Sequence, residues 1–147
     1  MKNELKQELT RRLCECNNGG LVLVMYDIYF GFSEDVKAAL ASNDRAALKK
    51  AVADVQAALD ELIGALDFKY PLAGQLYPLY SYCKRLFYTV LYSLDVSVVN
   101  EADSIMKKLR ISFETAAADE QIAPLMDNAQ KVYAGMTYGR AGSQRAL

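Results

Sequence analysis

Between Asp44 and Leu66 the apolar residues Leu48, Val52, Val55, Leu59, Leu62 and Leu66 recur at alternating spacings of four and three. That rhythm puts them on one stripe of a helix, which must bury this side against other elements while its opposite face meets water. Ser42, Asn43 and Asp44 offer capping oxygens before the segment. Asp67-Phe68-Lys69-Tyr70-Pro71 ends it, because a residue before proline is pushed out of the helical region.

The same period continues on both sides. From Gly20 to Ala41, residues Leu21, Met25, Ile28, Tyr29, Phe32, Val36 and Leu40 form one side, and Val22, Val24, Tyr26 and Phe30 make the segment apolar almost all round. From Leu72 to Leu94, residues Leu72, Leu76, Leu79, Tyr80, Cys83, Leu86, Phe87, Val90, Leu91 and Leu94 are expected to face a core. Pro78 falls within the opening turns of that segment, where a missing amide donor costs less than in mid-helix. From Ser97 to Ala118 the stripe is Val98, Ala102, Ile105, Leu109, Phe113 and Ala116.

Connections of only a few residues make sequential helices antiparallel neighbours. The predicted fold is therefore all-α, an antiparallel up-and-down four-helix bundle over about residues 20–118. A short amphipathic helix through Leu5, Leu9 and Leu13 precedes it and stops at Asn17-Asn18-Gly19-Gly20. A C-terminal segment, 119–147, follows, in which Ile122 to Tyr138 reads as a weaker fifth helix. With 147 residues the chain suits a single domain.

The composition is 52% apolar, more than an average globular chain carries, and some of that excess is available to a partner. A net charge of -1 supplies no attraction to nucleic acid or an anionic membrane. The longest apolar run, Leu21 to Tyr26, is cut by Asp27 and falls far short of the roughly 20 residues of a membrane span. Glu4, Glu8 and Glu15 interrupt the first turns, which therefore do not read as a secretory signal. Cys14, Cys16 and Cys83 are an odd set, suited to a reducing compartment, and the expected location is the cytosol.

The chain has no histidine, which removes the commonest general base, metal ligand and neutral-pH switch, along with any Glu-x-x-His di-iron site. Cys14-Glu15-Cys16 is a metal candidate with too few ligands for a structural zinc site. Acidic neighbours such as Glu34-Asp35, Asp60-Glu61 and Asp119-Glu120 point about 100° apart on a helix and share no site. Gly19-Gly20 lacks the lysine of a phosphate loop. No enzyme and no cofactor is expected.

Tyrosine is the residue type that stands out. There are ten, with no tryptophan, and Tyr70, Tyr77, Tyr80, Tyr82, Tyr88 and Tyr92 crowd on or beside the third bundle helix. Tyr77, Tyr88 and Tyr92 fall together on a helical wheel, offset from the core stripe. Two readings stand side by side: tyrosines edging the core with their hydroxyls in water, or an aromatic lining for a partner's amphipathic helix.

Four stretches resemble the flagellar secretion chaperone family, FliS, across roughly Gly20 to Ala116. These are Leu21-Val22-Leu23-Val24-Met25-Tyr26-Asp27; Gln56 with Leu59, Glu61-Leu62 and Leu66-Asp67; Leu76 with Leu79-Tyr80 and Tyr82; and Leu109-Arg110 followed by Phe113. The resemblance implies a bundle that binds the C-terminal segment of flagellin in the cytosol, prevents its premature polymerisation and assists its export. Other flagellar export proteins and a second copy of the chain are further expected partners. The chain departs from the family pattern in three places. Met1 to Cys16 holds no tyrosine, Asn17 to Gly20 replaces a serine-proline helix start, and Phe113 stands where the family often has tryptophan.

Together, the matched motifs and the second aromatic stripe nominate Leu21, Val24, Met25, Leu76, Tyr77, Tyr80, Tyr88 and Tyr92 as partner-binding residues. The alternative is a homo-oligomeric helical adaptor without a flagellin client, whose surplus apolar surface meets its own copies.

Overall fold

The computed structural model describes residues 1–15 and 18–118, and the side chains of 1–11 and 20–115. Five helices follow one another: α1 (Asn3–Glu15), α2 (Asn18–Ser42), α3 (Arg45–Gly64), α4 (Pro71–Ser93) and α5 (Val96–Ala118). Helices α2 to α5 close a ring in chain order, each packed on the next, with α5 returning to α2. Tyr26 of α2 stacks on Phe113 of α5, whereas Tyr29 and Ser33 bond to Asp103, so α2 and α5 run antiparallel. The predicted all-α, up-and-down four-helix bundle with a preceding short helix is the fold found, α1 resting on the outside of α2. The expected fifth helix over Ile122 to Tyr138 lies outside the described residues.

The turns explain where helices stop. Asn43, at φ 57, takes the left-handed conformation that closes α2, and the Asp44 amide bonds back to Ala39 O at 3.1 Å. Asp44 then caps α3, its carboxylate accepting the Ala47 amide at 3.0 Å. Tyr70 is extended before Pro71, which occupies the first helical position of α4, where no amide is needed. Leu94, at φ 54, closes α4, and Asp95 accepts the Ser97 amide at 2.9 Å as α5 begins.

Three sequence expectations change. Asn18, Gly19 and Gly20 begin α2 rather than ending the helix before it. Pro78 sits at the eighth position of α4, past the four amides that lack partners in any helix, so α4 forgoes one ladder bond there. Leu72, Leu79 and Leu94 are exposed rather than in the core, since they flank the stripe Ala73, Leu76, Tyr80, Cys83, Phe87 and Val90 that α4 buries.

The core follows the stripes. Leu48, Val52, Val55, Leu59, Leu62 and Leu66 are all buried as the α3 period requires. Helix α2, covered by α3, α5 and α1, buries Leu21, Val22, Val24, Met25, Tyr26, Ile28, Tyr29 and Val36, which accounts for its apolar character on nearly every side. Each such large side chain contributes about 1.5–3 kcal/mol by leaving water. In α5 the buried line is Val99, Ala102, Asp103, Met106 and Phe113, one residue on from the expected Val98, Ile105 and Leu109, which are half-buried.

Candidate partner-binding surface

The stretches that stood out in the sequence meet inside the bundle. The Tyr26 and Tyr80 hydroxyls hydrogen-bond at 2.6 Å, and the Phe113 ring lies 5.5 Å from that of Tyr26. Arg110 on α5 donates to both carboxylate oxygens of Asp27 on α2, at 2.7 and 3.0 Å, a forked contact that fixes the register of the two helices. The Gln56 amide of α3 donates to the Lys84 carbonyl of α4 at 2.8 Å, while its Oε1 is buried without a hydrogen-bond partner. These residues join α2, α3, α4 and α5 rather than line a surface.

A second polar junction was not read from the sequence. Asp103, buried in α5, accepts hydrogen bonds from Tyr29 at 2.9 Å and Ser33 at 2.8 Å, and pairs with Lys37 at 2.8 Å. Burial first, then the charge and hydrogen bond of Asp103, hold the Tyr29 hydroxyl far above the usual tyrosine range. Burial would lower the Lys37 ammonium, but the hydrogen bond and charge of Asp103 raise it overall. Burial likewise pushes the Cys83 thiol up to about 12, with Asp103 and Glu101 adding to it, so this cysteine is a packing residue and not a nucleophile. The sequence signal was available: Tyr29, Ser33 and Lys37 share one helical face at spacings of four, and Asp103 adjoins Ala102 on a core stripe.

Five of the eight nominated residues are therefore corrected to core positions. Leu21, Val24, Met25 and Tyr80 are at most 2% exposed and Leu76 is 4%, because packing between the helices of the chain itself has already covered them. Tyr77, Tyr88 and Tyr92 are the nominated residues that reach solvent, at 46%, 51% and 85%. They share the edge of α4 that also carries Lys84, whose ammonium pairs with Asp60 of α3. The row thus borders the seam between α3 and α4 and spans about 22 Å, given 1.5 Å of rise per residue.

Across the seam, Ala53, Ala57, Asp60 and Gly64 are exposed at helical spacing on α3, and nothing lies within 4 Å of where a Gly64 Cβ would be. Three small residues and Asp60 on one side and tyrosines on the other flank this seam, which the Asp60–Lys84 pair bridges. At its open end Phe68, Tyr70 and Leu72 are exposed, and the Phe68 ring meets the Tyr77 ring edge-on at 6.0 Å.

Among the described residues no helix is long and apolar enough to cross a membrane, and no acidic or sulfur cluster is placed to hold a metal. The Cys14-Glu15-Cys16 candidate lies outside the described side chains.

Compared with models of protein families, the chain matches the flagellar protein FliS over residues 1–120. It belongs to the FliS family. The match covers all five helices of the FliS chain, including α1, which the motif resemblance had left out. FliS is a family of flagellar export chaperones, not of enzymes. No curated protein and no solved structure compared with this FliS chain matches it.

Proposed function

We propose that the chain is a cytosolic export chaperone that holds the C-terminal segment of flagellin along the α3–α4 seam, keeping it from polymerising before secretion. The observation that carries this reading is the row Tyr77, Tyr88 and Tyr92, three exposed tyrosines in line on a helix whose opposite face is fully packed. Exposed tyrosines in a line are costly surface for a free monomer but suit the anchors of an interface, where they combine apolar area with few degrees of freedom. The length of the row fits about four turns of an amphipathic client helix laid along the seam.

Calorimetric titration with the C-terminal segment of the host's flagellin tests this. A complex that folds its client should show a large negative heat-capacity change. Changing Tyr77, Tyr88 and Tyr92 to serine should weaken it at least about tenfold, or 1.4 kcal/mol, without lowering the melting temperature. Absence of any binding, with a stable dimer by light scattering, favours instead the homo-oligomeric adaptor, whose own copies would cover the row.

A further inference from the structure

Among the described residues, one buried side-chain atom is left without a hydrogen-bond partner: Oε1 of Gln56 on α3. The side chain is 7% exposed, and its Nε2 donates to the Lys84 carbonyl of α4 at 2.8 Å, which holds the carboxamide in the seam between the two helices. Turning the amide over would set its oxygen against the carbonyl oxygen, so that bond fixes which end is left over. A buried acceptor without a donor is costly, and a folded protein keeps few of them. An apolar side chain of similar shape would fill the same place without that cost.

The residues around this atom leave room for a partner and restrict its chemistry. Ala53 and Ala57 are exposed beside Gln56 on α3, and Tyr77, Tyr88 and Tyr92 are exposed on the α4 side. Asp60, one turn on from Gln56, pairs with the Lys84 ammonium across the seam. An ion pair that reaches water is weak, and its long side chains move aside readily. The Lys84 ammonium disfavours an approaching cation, and a carboxylate would bring only acceptors to Oε1. A neutral carboxamide meets both conditions, since its NH2 donates to Oε1 while its oxygen accepts from Lys84.

We propose that Gln56 reads the client: an asparagine or glutamine on the seam-facing side of the bound segment donates to Gln56 Oε1. This rests on the flagellin reading of the seam and adds a chemical requirement to it. The tyrosine row offers contact to any amphipathic helix, whereas Oε1 rewards only a client that places a neutral donor opposite Gln56 and stays unpaired with one that does not.

Calorimetric titration of the full chain with flagellin's C-terminal segment tests this, each asparagine and glutamine of the segment being changed to leucine in turn. At one position the change should weaken binding about tenfold with the unaltered chain and have no effect with Gln56→Met. A Gln56 that only held α3 in place would, on replacement, weaken every form of the segment alike. Lys84→Met gives a second readout with Gln56 intact. Arginine at the same segment position should bind the unaltered chain several-fold more weakly than the amide does, and regain most of that loss with Lys84→Met. If Gln56→Met does not fold, this comparison decides alone, and an arginine that regains nothing overturns the inference. Binding in which no amide position depends on Gln56 overturns it too and leaves the client reading standing, whereas no binding at all overturns both.

Discussion

Asp103 holds three donors from one neighbouring helix, and it does so between α2 and α5 where water does not compete. Changing it to alanine leaves the Tyr29 and Ser33 hydroxyls without their acceptor and Lys37 without its strongest counter-charge. The expected loss is about 2–3 kcal/mol by urea denaturation, below the cost of breaking a fully buried pair because Lys37 reaches water. Asp103→Asn keeps an acceptor and should lose less. A single aspartate in a helical sequence normally marks a solvated face, which hides the signal that Tyr29, Ser33 and Lys37 give at spacings of four. Only the position of α5 relative to Tyr29 and Ser33 makes it a core residue. Tyr80 failed in the opposite direction: its place on the core stripe was visible, but periodicity does not say which apolar residues stay uncovered.

At the scale of elements, α3 was readable almost residue for residue because it buries one stripe and exposes the rest, so a single period describes it. Its start depends on one side chain. Replacing Asp44 with alanine removes the acceptor for the Ala47 amide and should cost about 1 kcal/mol, measured as a lower denaturation midpoint with an unchanged slope. In α5 the expected Ala102 and Phe113 are buried, but Val98, Ile105 and Leu109 only flank the buried line, whose centre is set by contact with α2 and α4. The exposed tyrosine row of α4 was visible as an offset stripe, but the small-residue wall opposite it depends on how α3 sits, which Gln56 and the Lys84–Asp60 pair determine.

At the scale of the whole molecule, the buried tyrosines make stability fall in alkali. Tyr26, Tyr29 and Tyr80 are all raised above the ordinary tyrosine value, in each case first by burial. Above about pH 10 the unfolded chain releases these protons while the folded chain retains them, so the folded state binds more protons and stability declines as pH rises. Below that value their contribution is fully present. Tyrosinate absorbance should show these three buried hydroxyls ionising only together with loss of helical circular dichroism. Ionisation of Tyr26, Tyr29 and Tyr80 without unfolding would contradict this burial.

The closure of the ring by Arg110 and Asp27 also has a consequence during synthesis. The two residues are 83 apart, and at about 5–20 residues per second a ribosome makes the second some 4–17 s after the first. Throughout that interval α2, apolar on nearly every side, has α3 and then α4 beside it but no α5 over Tyr26 and Tyr29. A nascent chain of this kind is stickiest before its last helix emerges, and the bundle becomes a safe carrier for another protein only once it has finished covering itself.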